Sequence, residues 1–109
     1  MSEKELLAAI RDAIAETLQE NRIGKFSIYL FGSRAKGVVR EDSDYDIMVV
    51  IDREAGGKER FELLRKIRKN IKYLGLSIDV ILKSSREYDH SKNSFGSFIN
   101  SIQNELVAI

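Results

Sequence analysis

At 109 residues, 43% hydrophobic and 32% charged, the chain is expected to form a single domain (1–109) around one core, and its composition excludes a disordered chain. The formal net charge of +1 gives no basic field that would argue for nucleic acid, and the lack of cysteine excludes disulfides, cysteine-zinc sites and thiol catalysis. No apolar run reaches membrane-spanning length and the acidic, amphipathic start is unlike a secretory leader, so the cytoplasm is the expected compartment.

Ser2, with Glu5 three residues on, has the pattern of a capping box. Leu6, Leu7, Ile10, Ile14 and Leu18 then recur at helical spacing, which predicts a first amphipathic helix ending between Asn21 and Lys25 at Gly24. This helix reads as core scaffold without chemistry. Lys25–Phe31 is aromatic and β-rich and predicts a first strand. Gly32-Ser33 breaks it, residues 34–37 fit a helical turn and Val38–Ser43 a loop. A second strand is expected over Tyr45–Asp52, with apolar side chains on both faces and hence cover on both sides.

Arg53–Lys58, with Gly56-Gly57, reads as a turn or loop. Phe61, Leu64, Ile67, Ile71 and Leu74 predict a second helix closed by Gly75. Leu76–Lys83 predicts a third strand, with Leu76, Ile78, Val80 and Leu82 on one face and Ser77, Asp79, Ile81 and Lys83 on the other. Ser84–Asn93 reads as a polar loop, and a last helix is expected from near Ser94 to Val107. The order α-β-β-α-β-α predicts an α+β, sandwich-like fold, a small mixed sheet of at least three strands flanked by helices. The short link between the first two strands allows them to be antiparallel.

The residue types that carry chemistry cluster at two strand ends. Asp44 and Asp46 are two apart and project to the same face of an extended chain. Carboxylates this close repel unless a cation lies between them, and oxygen ligands suit Mg2+ or Mn2+. Asp79 is an acidic residue in an otherwise apolar strand; if the second and third strands are neighbours, it joins the same site. Gly32 permits close approach to the backbone, and Ser33 offers a hydroxyl and N–H groups to an anion. Arg34 and Lys36 add positive charge. A phosphate cradle beside a metal cage is what nucleotidyl transfer from a nucleoside triphosphate requires.

Gly32-Ser33, ten intervening residues and Asp44-Tyr45-Asp46, followed by Asp79, resemble the DNA polymerase β-like nucleotidyltransferase superfamily. The form Gly-Ser-Arg-Ala-Lys-Gly, then Ser43-Asp44-Tyr45-Asp46, is most similar to its minimal nucleotidyltransferases, the small partners of HEPN-domain toxins. Lys36 stands where many members have arginine, which keeps the charge but not the bidentate geometry. The resemblance implies the polymerase β-like fold, metal bound by Asp44, Asp46 and Asp79, and a triphosphate held at Gly32, Ser33, Arg34 and Lys36. It further implies that Asp79 helps activate the attacking hydroxyl. ATP is then the substrate and a HEPN toxin tyrosine the acceptor of AMP, so that the chain serves as an antitoxin. A binding-only antitoxin that neutralises its partner without catalysis is the alternative, and self-association is left open. An antibiotic-modifying enzyme would need a further substrate domain.

Other polar residues read more plainly. Asp52 shares the parity of Asp46 but lies roughly 20 Å along the strand, too far for a shared metal. Lys83 reads as a solvated strand end, and His90 lies in a polar segment with no catalytic role expected. Lys58, Arg65, Lys69 and Lys72 share a helical face that reads first as solvated surface and second as a docking face.

Overall fold

The structure is a computed structural model that describes residues 1–37 and 44–109. The loop expected at Val38–Ser43 lies outside the described residues. In chain order the elements are α1 (Glu3–Glu20), β1 (Phe26–Phe31), β2 (Tyr45–Ile51), α2 (Gly57–Ile71), β3 (Ile78–Ser84), α3 (Ser85–Lys92), α4 (Phe98–Ile102) and β4 (Val107–Ala108). The strands form one mixed sheet in the order β3-β2-β1-β4. β1 pairs antiparallel with β2 and with β4, while β2 and β3 are parallel. A parallel pair needs a crossover, and α2 supplies it. This is the expected α+β architecture of the polymerase β-like fold.

α1 opens on the predicted capping box: Ser2 Oγ accepts from Glu5 N–H, and Glu5 reaches back to the Ser2 N–H. Its C-terminus differs from expectation. Arg22, at φ 63°, takes the left-handed position, and Ile23 N–H bonds Leu18 C=O. That six-to-one bond marks a Schellman ending, so the left-handed residue after the Asn21 cap is Arg22 and not Gly24. α2 begins inside the stretch expected as a turn, at Gly57, and passes through a 3-10 turn (Lys72–Leu74) to Gly75, which is left-handed as predicted. Its buried stripe is Leu63, Ile67 and Ile71, whereas Phe61 is exposed. The i, i+4, i+8 positions face the sheet, and Phe61 is rotated off that line.

Two covers enclose the sheet, as the apolar residues on both faces of β2 required. Ile47, Val49 and Ile51 pack with α1 and α2 through Ile10, Ile14, Leu18, Leu63 and Ile67 in the main core. Met48 and Val50 face the other way and pack with Ile99 of α4, flanked by Tyr29, Phe31, Ile81, Tyr88 and Leu106. The elements of this second cover depart most from the sequence reading. Residues 84–93, expected as a polar loop, form α3: Ser84 caps it and Glu87 completes a second capping box. The helix expected over 94–107 shrinks to α4 and a 3-10 turn (Gln103–Glu105), because the chain then extends as β4 along β1. Ladder bonds to an open sheet edge outweigh a continued helix there.

Among the described residues, no helix is long and apolar enough to cross a membrane.

Candidate active site

The sheet register builds the site. Asp46, near the start of β2, is the cross-strand partner of Asp79 on β3 and of Phe31 on β1. Directly opposed residues share a face, so Asp79, Asp46 and Phe31 form a row across three strands. That face is the one covered farther along by α3 and α4. The neighbourhood of β2 and β3 on which the Asp79 assignment depended is therefore present. One detail differs: Asp79 is exposed near the beginning of β3, not held inside an apolar strand. Asp44 is exposed just ahead of β2, and Asp46 is half-buried.

The electrostatics follow from this crowding. Burial pushes the Asp46 carboxyl above its usual range, and the charges of Asp79 and Asp44 push it further. Like charges are thus brought together, and the half-buried Asp46 bears the cost. Among the described residues, no three His, Cys, Asp or Glu side chains already converge as a closed metal cage. The donor set itself, hard carboxylate oxygens whose mutual repulsion a cation would relieve, suits Mg2+ or Mn2+.

The Gly-Ser turn sits against the same carboxylate. Gly32 has φ 77°, and a Cβ built there would overlap Asp46 Oδ2. Both the backbone conformation and the space call for glycine. Lys36 N–H bonds Gly32 C=O at 3.2 Å, closing the expected turn over residues 34–37, and Ser33 is exposed. Lys36 Nζ reaches Glu105 at 3.1 Å, tying this turn to the segment after α4.

Arg34 turns elsewhere. Its side chain is 7% exposed, lies 3.9 Å over the Tyr45 ring and pairs with Glu3 at 3.4 Å. Tyr45, the residue between the two aspartates, points into the main core and donates its hydroxyl to Glu3 Oε2 at 2.8 Å. Burial and the Glu3 bond raise the Tyr45 pKa. Glu3 therefore joins the Gly-Ser turn to the strand that carries the aspartates. α1, which reads as scaffold without chemistry, supplies this residue from far away in sequence, and no local pattern marks it.

The remaining candidates stay apart from this row. Asp52 lies beyond the opposite end of β2, where its N–H bonds Lys25 C=O and the residue helps line a cavity of about 390 Å³. His90 is exposed on α3. Lys58, Arg65, Lys69 and Lys72 are exposed on α2 and the turn that follows it, with Arg65 paired to Glu62 at 3.0 Å.

Most of the chain is similar in sequence to known proteins. Residues 11–109 match the family model described as nucleotidyltransferase domain. A Methanocaldococcus jannaschii protein named "Putative protein adenylyltransferase" is 44% identical over 68 residues, which cover 62% of this chain and 67% of that one. A solved structure described as "Crystal structure of the toxin-antitoxin with AMP-PNP" is 32% identical, with a TM-score of 0.44 over 65% of this chain; the match spans about half, 55%, of that protein's chain. With the family model covering nearly the whole chain, and the sheet register setting two aspartates beside a glycine-serine turn, the chain belongs to the nucleotidyltransferase domain family.

Proposed function

We propose that this chain transfers AMP from ATP to a hydroxyl of a partner protein, a tyrosine of a HEPN-type toxin, and so acts as an antitoxin. The observation that carries the reading is the row of Asp46 and Asp79 in register beside Gly32. The name of the Methanocaldococcus relative supports protein adenylylation in particular. The HEPN partner and its tyrosine rest on the likeness of the Gly32–Asp46 motif to minimal nucleotidyltransferases.

The surroundings of each residue support the role assigned to it. Asp44, Asp46 and Asp79 would hold Mg2+ or Mn2+, which when bound supplies charge neutralisation at the phosphates. The Gly32-Ser33 turn offers backbone N–H groups and the Ser33 hydroxyl to the triphosphate. Lys36, about half exposed, is free enough to exchange Glu105 for a phosphate. Arg34 adds positive charge from its seat over Tyr45 and keeps the turn in place. In the reaction the acceptor oxygen bonds to the α-phosphorus as the bond to the pyrophosphate oxygen breaks. Asp79, at the end of the row away from the Gly-Ser turn, takes the hydroxyl proton.

The decisive test incubates the purified chain with Mg2+ and α-labelled ATP, with and without the product of the neighbouring gene. Label on that partner, with a mass increase of one AMP, is expected. Asp44→Asn with Asp46→Asn should abolish the label while leaving the complex intact. A stable complex without transfer from any of the four nucleotides would overturn catalysis in favour of neutralisation by binding alone.

A further inference from the structure

The second cover carries two aromatic pairs. Tyr29 and Tyr88 stack with ring centroids 6.2 Å apart, both half-buried, and form part of the packing. Phe31 and Phe98 meet edge to face at 5.7 Å, but Phe98 is 55% exposed. The inner pair is closed and the outer pair is open on one side. The open pair adjoins the carboxylates, because Phe31 is the register partner of Asp46.

We propose that Phe98, seated against Phe31, is the stacking surface for the base of the nucleoside triphosphate. The proposal rests on the nucleotidyl-transfer reading above and adds where the base lies. Across the sheet the order is Asp79, Asp46, Phe31, with Gly32 next in the chain after Phe31. The triphosphate end of the site is therefore the β1 end, and the acceptor end is the β3 end. Phe98 stands at the triphosphate end. The Lys36–Glu105 pair holds the segment after α4 beside the Gly-Ser turn, so the ring and the turn belong to one neighbourhood.

A ribose separates the α-phosphate from the base, and one residue, Phe31, is both the register partner of Asp46 and the ring that meets Phe98. A phenyl ring stacks on any base, so it contributes affinity without choosing among bases.

The test compares binding of an α,β-methylene analogue of ATP with binding of inorganic triphosphate, each with Mg2+, to the full chain. Phe98→Ala is expected to weaken the analogue about tenfold and to leave triphosphate unchanged, since stacking acts on the base alone. Phe98→Trp should restore affinity, and because the chain has no other tryptophan, analogue binding should quench its fluorescence. Unchanged analogue affinity in Phe98→Ala, with triphosphate still bound, overturns the proposal but not the transfer reading. Equal loss of both ligands overturns it too, by showing a deformed phosphate site. Failure of the native chain to bind either ligand overturns the transfer reading and this proposal with it.

Discussion

The two faces of the sheet are built for different purposes. On one, α1 and α2 cover the strands along their length, and the main core gathers buried side chains from Ile10 to Leu82. On the other, α3 and the short α4 shelter a smaller cluster of Met48, Val50 and Ile99, and the strand starts carrying Asp46 and Asp79 emerge beyond it. Burial on the first face supplies the larger share of the apolar contribution to folding. Incomplete cover on the second leaves room for a ligand among groups that repel one another. Both properties come from a single alternation along β2, in which each step of one residue changes face.

Core truncation should expose this division most strongly. Ile67→Ala, on the fully covered face, is expected to cost about 4 kcal/mol, and Ile99→Ala, under the thinner cover, about 2, because the latter can collapse more readily. Urea unfolding of both variants would measure the difference, and equal costs would erase the distinction.

Gly32→Ala comes next, at about 2–4 kcal/mol, from the left-handed backbone and the overlap with Asp46. Its signature is a double loss: a lower unfolding midpoint and weakened metal affinity, since Asp46 must move.

A smaller effect tests how the faces are joined. Arg60 of α2 bonds Glu87 of α3 at 2.5 Å and also donates to Leu82 C=O and Ala55 C=O. Its guanidinium, followed by the Ser84 N–H of the capping box, lowers the Glu87 carboxyl from 4.5 to about 2. A depressed carboxyl stabilises the fold fully above its unfolded value and loses that contribution as pH falls through its folded value. Glu87→Gln is therefore expected to cost about 1 kcal/mol at pH 7, given partial solvent screening. The gap from the native chain should narrow as pH falls from 4.5 towards 2, as thermal melts across that range would reveal.

The smallest change has the opposite sign. Asp46→Asn removes one of three crowded charges, so the metal-free chain should gain up to about 1 kcal/mol while the proposed AMP transfer is lost. Melts with and without Mg2+ should show the metal raising the midpoint of the native chain and not of the variant.

The covered face was largely legible in the amino-acid sequence. Ser2 and Glu5, the Ile10–Ile14–Leu18 stripe, and the alternation of Val80 and Leu82 with Asp79 and Ile81 are local patterns, and local patterns predict local structure. The Gly-Ser turn and the Asp44–Asp46 spacing were legible for the same reason. The second cover was harder. Ser84 and Glu87 carried a capping signal, but the helix they open has too few apolar residues to show periodicity. β4 exists because β1 offers an edge, which two residues cannot announce on their own. Glu3 meets Tyr45, and Phe98 meets Phe31, only through tertiary contact from opposite ends of the chain.

The bond from Tyr45 to Glu3 has a consequence for motion. Helix ends normally fray within microseconds at little cost, and amide protons of the first turn exchange quickly with solvent. In α1 that turn also holds the hydroxyl of the residue between Asp44 and Asp46, and the guanidinium of Arg34 beside it. Fraying would release both contacts together, so the opening of a helix end becomes an event at the carboxylate row. Amide exchange at Leu6 and Leu7 should consequently slow when nucleotide and metal occupy the site, although neither residue would touch them.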